Sequence, residues 1–169
     1  MKSAIQNTIL ETYTKLSDIL SAFLEEEINV KPFEGSWTGG QTVQHSILAC
    51  SEIPKLFVGK TEKTTREPDE NIKKLDAIFL DFNTKYKSPE NIKPANIEYD
   101  KKTLLASIKK VQNDLFEAAE TYDLTLTCLD AQIPGCENFT IYEWLYFAIV
   151  HTQRHTHQLE SIYEKVKKQ

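Results

Sequence analysis

The spacing of the apolar residues most constrains the fold, because they recur every three or four positions along most of the chain. This spacing places them on one face of an α-helix, whereas a half-buried strand requires strict alternation. Only five glycines and six prolines interrupt the pattern in 169 residues. The sequence therefore predicts an all-α protein, and its length suits one domain over residues 1–169.

The first two long helices are predicted from their apolar stripes and from a helix-start signal. The first covers about Ser3 to Ile28, with a stripe at Ile5, Ile9, Tyr13, Leu16, Leu20, Phe23 and Leu24. The second begins after Thr38, because Thr38 and Gln41 match a capping box. It continues to about Ser51 or beyond, and Pro54 is expected to stop or kink it.

A long connection separates the second helix from the third. Residues 59–69 are polar and are predicted as a crossover loop, followed by a short helix over about residues 70–82. Residues 85–96 contain two prolines and are predicted as a second loop. Asp100 suits the N-cap of the third long helix, which covers Lys101 to about Tyr122.

The fourth long helix has the clearest start. Thr140 and Glu143 match a second capping box, and Phe139 and Trp144 occupy the two positions of a hydrophobic staple. A brief extended piece is predicted just before it, over residues 124–129. Four long helices with one long connection predict a four-helix bundle with a long crossover between the second and third. Bundles of this kind build cofactor sites from inward side chains of facing helices.

Composition excludes several classes of function. A net charge of -5 disfavours a surface for nucleic acid, which is bound through Lys and Arg. The longest apolar run, residues 144–150, is much shorter than a membrane span. Residues 1–7 lack the apolar core of a secretory signal. Three cysteines, Cys50, Cys128 and Cys136, without CxxC spacing suit reduced thiols. We therefore expect a cytoplasmic protein with neither nucleic-acid nor membrane partners.

Three of the four histidines fall within seven residues of the last helix. On a helical wheel, His155 lies about 40° from His151, and both lie among apolar residues such as Trp144 and Phe147. His157 lies about 120° from His151, outside this face, and is expected at the surface.

An HxxxH pair on one helix face either binds a shared metal ion or is simply two hydrogen-bonded or exposed histidines. A buried pair needs partners for all its ring nitrogens, and a shared ion supplies one for each ring. His45, on a partly core-facing side of the second helix, is the remaining histidine and the candidate third ligand. Three histidines without a fourth protein ligand match an open, catalytic site rather than a closed structural one.

Other polar residues are candidates for supporting roles. Glu52 and Gln158 can accept hydrogen bonds from the free ring nitrogens, or they are solvated residues at the rim. Arg154 either binds an anionic group at the mouth of the site or is a surface arginine. Trp37 and Trp144 either line the cavity or belong to helix staples and core.

Four segments together resemble one family. They are Trp37 to His45 (WTGGQTVQH), Pro134-Gly135, Phe139 to Trp144 (FTIYEW), and His151 to Gln158 (HTQRHTHQ). Their order and spacing resemble the DinB-like (YfiT-like) superfamily of metal-dependent enzymes. The resemblance covers about a fifth of the chain by motif and otherwise rests on helix order and length.

The resemblance implies a fold, a metal site and a chemistry. Members are four-helix bundles, many of them dimers, so a homodimer is expected. Carried over by position, the ligands of a divalent metal are His45, His151 and His155. Characterised members include thiol S-transferases and a thiol-dependent isomerase that use low-molecular-weight thiols such as bacillithiol or mycothiol. In these the metal lowers the thiol pKa, so that a thiolate attacks.

Two hypotheses of function follow. The first is a metal-dependent transferase or hydrolase that activates a thiol or a water molecule against a small-molecule substrate. The second is a non-catalytic metal- or ligand-binding stress-response protein on the same bundle. No catalytic residue is assigned beyond the ligands. The ion is not identified by the sequence, because imidazole ligands suit several metals, with Zn, Ni, Fe and Mn as candidates.

Overall fold

A computed structural model describes residues 1–133 and 138–169. The α-helices in these residues are α1 (Lys2–Ala22), α2 (Gly39–Cys50), α3 (Ile53–Leu56), α4 (Ile72–Phe79), α5 (Lys101–Thr121) and α6 (Ile141–Val166). The short strands are β1 (Thr61–Lys63) and β2 (Leu126–Cys128), and single 3-10 turns occur at Glu27–Asn29 and Glu90–Ile92. The predicted Pro134-Gly135 turn and Cys136 lie outside the described residues.

The four long helices α1, α2, α5 and α6 form a bundle. Both α1 and α2 pack against α5 and against α6, so the order around the bundle is α1, α5, α2, α6. The connection between α2 and α5 contains α3, β1 and α4, and α4 packs on α6. The predicted all-α bundle with a long crossover is confirmed.

No helix in the described part of the chain combines the length and apolar character needed to span a membrane.

Two predicted helices are longer than the observed ones. The first helix ends at Ala22 rather than near Ile28, because the backbone of Phe23 is extended. Phe23 still packs edge-on against Tyr163, with ring centroids 4.9 Å apart, whereas Leu24 is 52% exposed and does not belong to the stripe. The helix predicted over residues 70–82 is α4, which covers only Ile72–Phe79.

A small sheet lies where a loop was predicted. β1, within residues 59–69, pairs antiparallel with β2 and places Thr61 opposite Cys128. β2 lies inside the predicted extended piece, which is confirmed. A three-residue polar strand such as β1 has no alternation to detect, and its partner is more than 60 residues away, so the loop prediction was wrong there.

The paired glycines at the start of α2 allow a close approach between elements. A Cβ atom at Gly40 would lie 2.9 Å from the Cβ of Tyr99, and one at Gly39 would lie 3.3 Å from a methyl of Leu159 on α6. A side chain at Gly40 would clash with Tyr99 just before α5, whereas one at Gly39 would require Leu159 to shift slightly. The glycines therefore allow the start of α2 to pack closely on its neighbours.

Candidate metal centre

The start of α2 determines where His45 points. The Thr38 hydroxyl accepts a hydrogen bond from the Gln41 backbone amide, and the Gln41 side chain accepts one from the Thr38 amide, both at 3.1 Å. This confirms the predicted capping box. His45 lies seven residues after Thr38, about two helical turns, and is directed toward α6.

The start of α6 is fixed in the same way. The Thr140 hydroxyl and the Glu143 carboxylate form the predicted capping box, at 3.1 and 3.0 Å. The rings of Phe139 and Trp144 lie 5.4 Å apart, which confirms the staple. Glu143 also accepts two hydrogen bonds from the Arg66 guanidinium, at 2.7 and 2.6 Å. The position of α6 is therefore tied to the crossover segment as well as to its own cap.

The three predicted histidines come together between α2 and α6. One ring nitrogen from each of His45, His151 and His155 lies within 4.8 Å of the others. The ring of His155 is centred 4.5 Å from each of the other two, and those of His45 and His151 are 5.1 Å apart. All three residues are buried, with exposures of 4%, 5% and 8%. This group can hold a metal ion.

Hydrogen bonds orient two of the rings. His45 Nδ1 donates to the Ile92 carbonyl at 2.8 Å, and the Ser88 hydroxyl lies 3.4 Å from the same nitrogen. His155 Nδ1 donates to the Gln158 side-chain oxygen at 3.0 Å. A ring that donates through Nδ1 keeps its lone pair on Nε2, the usual arrangement of a metal-binding histidine. The Ile92 carbonyl was not anticipated, since a backbone acceptor leaves no signal in the sequence.

His151 supplies the observation that tests whether a metal fits. Its Nδ1 is buried and, within the described residues, has no hydrogen-bond partner. Leaving a buried polar atom unpaired costs about 1–3 kcal/mol. Three imidazoles form a donor set that suits divalent transition metals. The residues present therefore fit a metal ion.

The histidines are held in their uncharged form. Burial lowers the pKa of His45, with the hydrogen bond to Ile92 opposing it. Burial and then the neighbouring positive charges of His155, His45 and Arg154 take the pKa of His151 well below its usual value. Burial, then the charge of His45, lowers the pKa of His155 to about 3. Near neutral pH all three rings offer lone pairs without first releasing a proton.

The candidate supporting residues differ in whether they contact the histidines. Gln158 accepts a hydrogen bond from His155, as one of its two predicted roles requires. Glu52 does not contact the cluster, because its exposed side chain pairs with Lys55, so the solvated rim residue is the one of its two predicted roles that is observed. His157 is exposed, as predicted, and stacks on the ring of Phe82 at 4.1 Å.

Arg154 has a role that neither prediction described. Its guanidinium donates to the carbonyls of Phe79 at 3.2 Å and Asp81 at 2.8 Å, and also to the carbonyl of Thr84. It also lies over the ring of Tyr86, 5.1 Å from the centroid. These contacts bind α6 to the segment that follows α4.

Aromatic rings surround the cluster. Trp37 is centred 5.0 Å from His45, while Phe79 and Phe147 are centred 5.8 and 5.4 Å from His151. Trp37 therefore lies beside the histidines, as one of its two predicted roles requires. Trp144 belongs to the staple and contacts Phe147 rather than the histidines.

Comparison with known families agrees with the geometry. The sequence model of the DinB superfamily matches residues 8–159, which is most of the chain. The chain belongs to the DinB superfamily. No curated protein and no solved structure gives a significant match. In this DinB-superfamily bundle, the matched region includes the cap of α2, the start of α6 and all three clustered histidines.

Proposed function

We propose that this DinB-superfamily protein is a metal-dependent enzyme, with His45, His151 and His155 as the ligands of one divalent ion. The observation that carries the proposal is the convergence of three buried, uncharged rings, two of them held by hydrogen bonds from Nδ1. Three protein ligands leave room for a further ligand, the arrangement typical of catalytic rather than structural sites.

A bound ion at this position would supply Lewis acidity, lowering the pKa of a thiol or water nucleophile. The Ile92 carbonyl and Gln158 fix the directions of two rings. The rings of Trp37, Phe79 and Phe147 exclude water and favour a substrate that is apolar beside its reacting group. The proposed reaction class is a thiol-dependent S-transfer or a hydrolysis, with a low-molecular-weight thiol as the cosubstrate in the first case.

The second candidate is a non-catalytic metal- or ligand-binding protein. It is favoured by the composition of the cluster, which in the described residues contains histidines and no carboxylate. Glu52, the carboxylate that the sequence offered as a base, points to solvent. An enzyme on this site would therefore depend on the ion or the substrate itself for proton transfer.

The remaining features of the proposal rest on sequence. We propose one functional domain over residues 1–169, a cytoplasmic location, a small-molecule substrate and a homodimer. Zn, Ni, Fe and Mn all remain compatible with the donor set. Cys50 and Cys128 are buried free thiols, which is compatible with a reducing compartment.

Metal content tests the ligand assignment. We expect His151→Ala to abolish binding of a stoichiometric divalent ion, measured by elemental analysis after dialysis against each candidate metal. His157→Ala is the matched control, since this histidine lies on the same helix but outside the cluster, and should bind as the wild type does. Equal loss in both variants, or none in either, would reject the assignment.

Turnover then separates the two candidates. The metal-loaded protein is screened against electrophilic substrates with small thiols and, separately, against ester and amide substrates in water. The enzyme proposal expects turnover that disappears in His151→Ala. Stoichiometric metal binding without turnover in either screen would favour the non-catalytic protein.

A further inference from the structure

A segment between α4 and α5 crosses from α6 to α2 beside the histidine cluster. We call residues 80–92 the strap. At its α6 end, the carbonyls of Asp81 and Thr84 accept hydrogen bonds from Arg154. At its α2 end, the Ile92 carbonyl accepts a hydrogen bond from His45. The strap thus spans the two helices that carry the histidines.

Apart from these bonds and Leu80, which packs partly buried against the core, the strap has few tertiary contacts. Residues 82–87 and 89–91 are exposed, and no residue of the strap is fully buried. Two of its apolar side chains, Phe82 and Tyr86, are 45% and 56% exposed and lie against His157 and Arg154. Its internal hydrogen bonds are short-range, such as Ile92 amide to Pro89 carbonyl at 3.2 Å. Segments with few buried contacts open at low free-energy cost.

The histidines are buried in this arrangement, in which the strap contacts His45 through the Ile92 carbonyl and the Ser88 hydroxyl. Exposures of 4–8% give an organic molecule no route to a ring nitrogen. We propose that the strap is a lid over the histidine cluster and that Arg154 is the latch that keeps it closed. Its purpose, admission of a substrate, rests on the proposed function, whereas the opening itself does not.

Opening of the strap also affects the orientation of the His45 ring. The carbonyl that accepts from His45 Nδ1 belongs to the lid, so displacing the strap removes the acceptor that fixes this ring. Arg154 is adjacent to His155 in sequence, yet its guanidinium is directed to the strap rather than to the rings. Arg154 makes no hydrogen bond to a histidine ring, so replacing it removes neither a histidine nor a hydrogen bond to His155.

Access to the rings can be measured without bound metal or activity. Diethyl pyrocarbonate acylates uncharged imidazoles, so in chelator-treated protein its rate at each histidine reports exposure. We expect only His157 to react quickly in the wild type. In Arg154→Ala, His45, His151 and His155 should become reactive. The hydrogen-bonded strap amides of Asn83 and Ile92 should exchange at least about tenfold faster, since several hydrogen bonds to a charged group are lost.

Gln153→Ala is the matched control, because Gln153 precedes Arg154 on α6 and contacts Thr12 on α1 instead of the strap. It should behave as the wild type does. Unchanged acylation and unchanged strap exchange in a folded Arg154→Ala protein would overturn the lid. So would acceleration spread evenly over all helices, which indicates global loosening.

Tyr86→Ala provides an independent variant at an exposed position, where folding is not at risk. Losing the ring under Arg154 should accelerate strap exchange about two- to fivefold. No acceleration would count against the latch even if Arg154→Ala fails to fold. The lid and the metal site are tested independently. Accessible histidines without metal binding would refute only the proposed function. Metal binding with an unresponsive strap would refute only the lid.

Discussion

At the scale of single residues, some members of the cluster can be predicted from the sequence and others cannot. The pair His151 and His155 could be predicted, because residues four apart share a helix face. Prediction of the third member, His45, required only that α2 and α6 face each other. The acceptor for His45 could not be predicted, since it is the backbone carbonyl of Ile92, 47 residues away. Glu52 does not reach the cluster because α2 ends at Cys50, so the helical spacing from His45 does not extend to it.

The bond between Gln158 and His155 leads to a prediction. Gln158→Ala removes the acceptor from His155 Nδ1, so the ring loses its fixed tautomer and direction. Loss of such a partner typically weakens metal binding about 10–100-fold. We expect a decrease of this size, with the helical circular dichroism unchanged, measured by competition with a chromogenic chelator.

The matched control for this variant is again Gln153→Ala, a glutamine on the same helix directed at α1. Its metal affinity should equal that of the wild type. An unchanged affinity in Gln158→Ala would mean that the ring is positioned by packing alone.

At the scale of secondary-structure elements, contacts between residues close in the sequence could be predicted, whereas contacts between distant residues could not. Both capping boxes and the staple of Phe139 and Trp144 involve residues at most five apart, so their pattern is visible in the sequence. The ion pair of Glu143 with Arg66 joins residues 77 apart, and nothing in the sequence pairs them. The same holds for β1 and β2, which form only because the crossover passes beside the segment before α6.

Glu143 is expected to control the acid stability of the fold. Its side chain is fully buried, and its pKa results from opposing effects. Burial raises the pKa, but hydrogen bonds from Arg66 and from the backbone amides of Thr140 and Asn71 bring it below the usual value. A group whose pKa is lowered by folding stabilises the protein above its unfolded pKa. That stabilisation is lost as the pH falls through the folded value.

Glu143→Gln should lower the free energy of unfolding at pH 7 by about 1–3 kcal/mol, because the hydrogen bonds from Arg66 lose their charged acceptor. The difference between wild type and variant should shrink as the pH decreases from 5 to 3. Urea unfolding at a series of pH values measures both. Glu117→Gln, at an exposed position on α5, is the control and should change stability by less than about 0.5 kcal/mol. A pH-independent difference would show that the carboxylate charge is not what stabilises this site.

At the scale of the whole molecule, we expect the bundle to fold without an ion. Its core is a continuous set of buried apolar side chains from all four long helices, including Ile9 and Leu16 of α1 and Leu115 of α5. The histidines lie on α2 and α6, and Phe79 of α4 and the Ile92 carbonyl of the strap also contact them. The fold therefore differs from zinc fingers, in which metal binding supplies most of the folding free energy.

Chelator treatment should accordingly leave the helical circular dichroism intact and lower the midpoint of a cooperative melt. A ligand at 100 times its Kd stabilises the native state by about 2.7 kcal/mol. For a chain of this length that corresponds to a decrease of about 5–10 °C on removal. Differential scanning calorimetry with and without each metal measures it, and His151→Ala should show no metal-dependent shift. Loss of helicity at room temperature after chelation would identify a structural ion instead.

The distance along the chain from each cap to its histidine has a consequence for how such sequences can change in length. His45 lies seven residues after Thr38 and His151 lies eleven after Thr140, which are about two and three complete turns. A single inserted or deleted residue inside either interval would turn the histidine by about 100°, away from its partners. The same event in the exposed stretch of residues 82–87 would leave both helices in phase. Homologues that keep the site should therefore vary in length outside these two intervals, while the intervals themselves stay constant.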